Sequence, residues 1–163
     1  MKQLLKSLAY LSEADYQLVL HACHIAKSAH EGQTRKSGEP YIIHPIAVTT
    51  LLASLQLNVE ILCAGLLHDV LEDTEVTKKD LAEQGFNDSI ISLVEGVTKI
   101  DKLSFNNVDD AQAHNLQKLV MAMAKDARII VLKLADRIHN LVTIDSLKPS
   151  RQQEIAKESL KVF

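Results

Sequence analysis

Residues 127–144, ARIIVLKLADRIHNLVTI, are apolar around almost the whole helical circumference. Yet Lys133, Asp136, Arg137 and Asn140 stand on one face of this run, at i, i+3, i+4 and i+7. A helix with so little polar surface is expected at the centre of a bundle. Its polar line must then meet partners inside the molecule, because an uncompensated buried charge is costly. Two arrangements satisfy that demand: an internal pairing of Asp136 with Arg137 or Lys133, or a site shared with residues from other helices, a metal included.

The rest of the 163-residue chain fits this picture of packed helices, with 47% hydrophobic residues, 4% aromatic, no Trp, and only 5 Gly and 3 Pro. A core of Leu, Ile, Val, Ala and Met favours helices over a β-sandwich, so an all-α fold of about eight helices in a single domain over 1–163 is expected. The first predicted helix is capped by Ser12 and ends at Gly32, the second runs from Pro45 to about Leu57, and Asn58 caps a third from Val59 to about Glu72. Thr77 and Asp80 open a fourth that stops at Gly85, and Asn87 or Asp88 caps a fifth through ISLVEGVTKI. The stretch Asp101 to Asp110 has no sustained period and reads as a mobile loop; a sixth helix covers about Ala111 to Lys125. The 127–144 helix is the seventh, and a Ser150/Gln153 capping box opens the eighth.

A net charge of −3 argues against non-specific nucleic-acid binding, which needs a basic face. An anionic ligand must therefore meet local positive charge or a metal. Cys23 and Cys63 lie in apolar helical surroundings and read as buried free thiols in a reducing compartment. No apolar run approaches the ~20 residues of a membrane span, and the N-terminus has no signal core, so a cytoplasmic protein is expected. P-loop, Rossmann and nucleophile-elbow motifs are absent from the sequence.

The helix containing ILCAGLLHDVLED is apolar until His68, Asp69, Glu72 and Asp73 arrive together. At about 100° per residue they fall near 0°, 100°, 40° and 140°, one arc presenting an imidazole and three carboxylates. Acids that simply face water are the plainer reading, but acids at a helix C-terminus oppose its dipole, and a cation would relieve them. His44, in EPYIIHP, joins His68, Asp69 and Asp136 to make two nitrogens and two carboxylate oxygens, a set suited to Mn²⁺ or Fe²⁺ rather than to structural zinc. Glu72 or Asp73 would then orient a water or move its proton. Arg35 and Lys36, in the loop GQTRKSGEP, supply the positive charge for a phosphate or a planar base, and Ser37 and Gly38 allow close approach of the backbone. His21, His24, His30, His114 and His139 are assigned packing or surface roles.

In this order, AHEGQTRKSGEPYIIHP, AGLLHDVLEDTEVT, LVEGVTKIDKL and MAMAKDARIIVLKLADRIHN resemble the N-terminal hydrolase domain of the RelA/SpoT family of long alarmone synthetase-hydrolases, SpoT type, from about Ala22 onward. The resemblance implies an all-helical HD-domain fold and Mn²⁺-dependent removal of the 3′-pyrophosphate from guanosine tetra- and pentaphosphate. It places metal ligands on His44, His68, Asp69 and Asp136, a catalytic acid pair on Glu72 and Asp73, and nucleotide contacts on Arg35, Lys36, Ser37, Asn140 and Thr143. It also implies a C-terminally truncated piece of a protein that carries synthetase and regulatory domains. The chain departs from the family at HNLVTI, where a frequent Arg is Val142, and at His114 and Gln117. The other readings are an HD phosphohydrolase for another nucleotide and a non-catalytic nucleotide-sensing module.

Overall fold

A computed structural model describes residues 1–35, 37–101, 125–146 and 149–162. Among these the secondary structure is helical apart from one isolated bridge between Thr34 and Pro40. The elements are α1 (Lys2–Ser7), α2 (Glu13–Ala29), α3 (Ile43–Ser54), α4 (Val59–Leu67), α5 (Val70–Asp73), α6 (Lys78–Glu83), α7 (Asp88–Asp101), α8 (Arg128–Val142), a 3₁₀ turn (Ile144–Ser146) and α9 (Pro149–Val162).

The capping residues set the starts as expected. Ser12 accepts from the Asp15 amide, Asn58 from Ile61, and Asn87 from Ile90. Thr77 and Asp80 form a reciprocal capping box. The helix α1 was not expected from sequence, because six residues hold too few turns to nucleate alone. Its anchor is tertiary: Leu4 and Leu8, both 1% exposed, bury themselves where α1 packs on α3.

α4 is the hub, packed by α2, α3 and α7, with α8 crossing α3 and α7. Leu52, Leu62, Leu66, Leu67, Ile90, Leu93 and Leu132 are fully buried there. Gly65 lets α4 approach α3: a Cβ on it would lie 2.8 Å from both Leu52 Cδ1 and Thr49 Oγ1.

Three expectations need correction. The helix from Val59 does not continue to Glu72; it stops at Leu67, turns at His68 and Asp69, and restarts as α5. The His68 ring accounts for the break locally, donating from Nδ1 to the Gly65 carbonyl at 2.9 Å. α9 opens at Pro149 rather than behind a Ser150 cap, since proline needs no amide partner in a first turn. α8 is not buried all round: Leu134, Ile138, Leu141 and Val142 are exposed while Lys133 and Asp136 are 3% and 5% exposed. The polar line faces inward together with Ile129, Leu132 and Ala135. The predicted loop after Asp101 and helix Ala111 to Lys125, with His114 and Gln117, fall almost entirely outside the described residues, as does Lys36.

Candidate metal centre

The inward line of α8 meets the break between α4 and α5 and the start of α3. His44, in the first turn of α3, puts Nε2 3.2 Å from Asp136 Oδ1 and 3.6 Å from Asp69 Oδ2. His68 puts Nε2 3.2 Å from Asp69 Oδ1 and 3.9 Å from Asp136 Oδ1. His44, His68 and Asp136 each offer a ligand atom within 4.8 Å of the others, all three residues buried. Asp69 faces both imidazoles, with a different oxygen to each.

Whether these residues fit a cation is decided by their outer nitrogens. The carbonyl of Gly65 only accepts, so His68 Nδ1 carries a proton, and the neutral form of the ring then has its lone pair on Nε2. That buried Nε2 has no hydrogen-bond partner even with two carboxylates beside it. An orphaned imidazole nitrogen facing carboxylates is the donor set of a divalent metal site, with its outer nitrogen fixed by a main-chain acceptor.

Burial opposes the charged form of His68, but the Asp69 and Asp136 carboxylates outweigh it and raise its pKa. Burial likewise disfavours charged Asp136, but a hydrogen bond from His44 and the charges of Lys133 and His68 prevail and hold its carboxyl far below the usual range. Lys133 Nζ donates to Asp136 Oδ2 at 2.9 Å, and Asn140 Nδ2 to Asp136 Oδ1 at 2.8 Å. The internal Lys133–Asp136 pairing and the shared site, alternatives in the sequence, therefore coexist.

Arg35 reaches this centre from the loop. The loop is closed by Arg35 N–H to the Glu39 carbonyl and Gly38 N–H to the Arg35 carbonyl, both 2.8 Å, with Gly38 in the left-handed region at φ 88°. Its guanidinium donates to Asn140 Oδ1 at 2.8 Å and lies 3.3 Å from His139 Nδ1. Ser37 is exposed on the same turn. Thr143 ends α8, its hydroxyl bonding the carbonyls of His139 and Asn140. Glu72 and Asp73 are exposed on α5 beside Asp69. Val142, where the family departure falls, is 75% exposed.

Sequence reasoning missed two residues. Tyr41 donates its hydroxyl toward Asp69 Oδ2 at 2.9 Å and Asp73 Oδ2 at 2.7 Å, tying the break to α5. Burial and the two adjacent carboxylates push its phenol well above an ordinary tyrosine. His30 stacks on it, ring centroids 4.5 Å apart, and Gln33 fastens the loop to the Asp73 carbonyl at 2.8 Å. His139 Nδ1 lies 2.8 Å from His44 Nδ1. Burial and the positive charges of His44 and Arg35 lower its pKa to about 4. Their spacing was the available signal: Tyr41 is three residues before His44, and His139 three after Asp136.

Comparison with known proteins agrees with this geometry. The HD domain family model matches residues 22–163. The bifunctional (p)ppGpp synthase/hydrolase SpoT of Escherichia coli (strain K12) is 51% identical over 94% of this chain and 22% of its own length. The guanosine-3′,5′-bis(diphosphate) 3′-pyrophosphohydrolase of Vibrio cholerae is 49% identical over 94% of this chain, again 22% of that protein. The chain thus spans about a fifth of the length of these curated relatives. A solved structure described as a metazoan orthologue of SpoT that hydrolyses ppGpp shares the fold, with a TM-score of 0.71 at 22% identity over 94% of this chain and 85% of that one. With His44, His68 and Asp136 gathered at one buried point and Asp69 beside them, the chain belongs to the HD-domain family.

Proposed function

We propose that this chain hydrolyses the 3′-pyrophosphate of guanosine tetra- and pentaphosphate, giving GDP or GTP and pyrophosphate, with Mn²⁺ held by His44, His68, Asp69 and Asp136. The observation that carries the reading is the orphaned Nε2 of His68 facing two carboxylates beside His44. The names of the relatives support the choice of substrate. A bound divalent ion would supply Lewis-acid chemistry, polarising phosphoryl oxygens and acidifying water.

The chain's own groups do the rest. Water adds to the phosphorus attached to the 3′-oxygen as the bond to that oxygen breaks, so one proton leaves the water and one reaches the nucleoside. Glu72 and Asp73, exposed beside Asp69, orient the water and move those protons. Arg35 draws the anionic phosphates toward the centre, and Lys36, Ser37, Asn140 and Thr143 complete the nucleotide contacts.

The test is pyrophosphate release from ppGpp by metal-stripped protein, with and without Mn²⁺, for wild type and Glu72→Gln. Mn²⁺-dependent release that Glu72→Gln cripples while retaining metal is expected. Preference for another nucleotide across a substrate panel would replace the substrate assignment. Nucleotide binding with metal restored and no turnover would instead make the chain a sensing module.

A further inference from the structure

We propose that His139 is the positioning residue that decides which nitrogen of His44 faces the metal. The inference rests on the metal centre proposed above and extends it to a residue outside the ligand set. An arginine guanidinium only donates hydrogen bonds. Arg35 Nη1 lies 3.3 Å from His139 Nδ1, so that nitrogen accepts and carries a lone pair. His44 Nδ1 lies 2.8 Å from the same nitrogen, and of the two only His44 is left to bring a proton. His44 thereby keeps a proton on Nδ1, so Nε2, 3.2 Å from Asp136 Oδ1, is the nitrogen that gives up its proton to a metal. With the roles reversed, the His44 proton would sit on Nε2 and occupy the coordinating position.

The two ligand histidines differ in how this is enforced. His68 is fixed by a main-chain carbonyl within its own helix turn. His44 is fixed by a side chain from α8, three residues past Asp136, and that side chain is itself gripped by Arg35 from the loop. The packing supports a hydrogen bond rather than a stack, since the His44 and His139 rings are inclined by 46° with centroids 4.9 Å apart.

The experiment uses the whole chain, stripped of metal and labelled with ¹⁵N-histidine. Long-range ¹H–¹⁵N correlation reads which ring nitrogen is protonated, and calorimetric titration with Mn²⁺ reads affinity. His139→Asn keeps an acceptor near the Nδ1 position, and His139→Leu removes it. The wild type is expected to show His44 protonated at Nδ1. His139→Leu should lose that signature and bind Mn²⁺ roughly 10–100-fold more weakly, with His139→Asn within about threefold of wild type.

Mn²⁺ affinity unchanged in His139→Leu would overturn the inference, as would equal weakening in both variants at unchanged melting temperature. Should His139→Leu fail to fold, a neutral wild-type His44 protonated at Nε2 alone would overturn it just as well. A wild type that takes up no Mn²⁺ would sink the metal reading itself, while the His44 signature of the metal-free protein still decides the role of His139.

Discussion

Replacing Gly65 by alanine tests the close approach of α3 and α4 that supports the centre. The added Cβ would lie 2.8 Å from Leu52 Cδ1 and from Thr49 Oγ1, and 3.7 Å from Leu132 Cδ1. Ordinary carbon contacts are about 3.5–4.0 Å, so two of the three neighbours must retreat by more than half an ångström. Leu52 and Thr49 are both 0% exposed and cannot move outward freely. Overpacking of this kind costs about 1–3 kcal/mol, and two simultaneous clashes place it in the upper part of that range. Removing a glycine from a helix interior returns about 1 kcal/mol. The net expectation is a loss of about 1–2 kcal/mol, or roughly 2–8 °C in Tm for a chain of this size. Guanidinium unfolding of the metal-free protein, with the m-value checked for constancy, measures it. In a double-mutant cycle, Gly65→Ala should cost clearly less on a Leu52→Ala background, because one of the two clashes is then gone while that with Thr49 remains. An alanine variant as stable as wild type, or additivity in the cycle, would refute the reasoning.

Tyr41→Phe removes the hydroxyl shared by Asp69 and Asp73. Loss of about 1.4 kcal/mol of orientation corresponds to a tenfold fall in kcat, with KM for ppGpp nearly unchanged and Mn²⁺ still bound, as steady-state kinetics and calorimetry will read. Asp136→Ala, which takes away the residue shared by both histidines, Lys133 and Asn140, should abolish Mn²⁺ uptake in the same titration. At the base of α8, Arg128 bonds Asp126, Glu60 and Ser89, and its hydrogen bonds to Asp126 lower that carboxyl's pKa. The unfolded chain then binds more protons between the depressed value and the ordinary 3.8, so the contribution is present above 3.8 and lost as pH falls through the folded value. Acid unfolding of Asp126→Asn should show a shallower pH dependence in that window, an effect moderated by the partial exposure of the pair.

The sequence made the centre legible through cost: charges standing in apolar helices at His68, Asp69 and Asp136 demanded a shared reason. Capping chemistry did the same for the helix starts, since Ser12, Asn58, Asn87 and Thr77 act over three residues and need no tertiary knowledge. What was not legible depended on the third dimension. The turn at His68 and Asp69 falls in a run that holds no proline and no turn dipeptide, so nothing along the chain stopped α4 from being extended straight through it. Apolarity around α8 was read as burial on all sides, but a helix has one inner face, and here Lys133 and Asp136 share it with Leu132 and Ala135 while Ile138 and Val142 lie outside. His139 was assigned to packing for a related reason. Its chemistry is set by what His44 and Arg35 bring to a single nitrogen from more than ninety residues away in sequence, a relation that spacing along one helix cannot express.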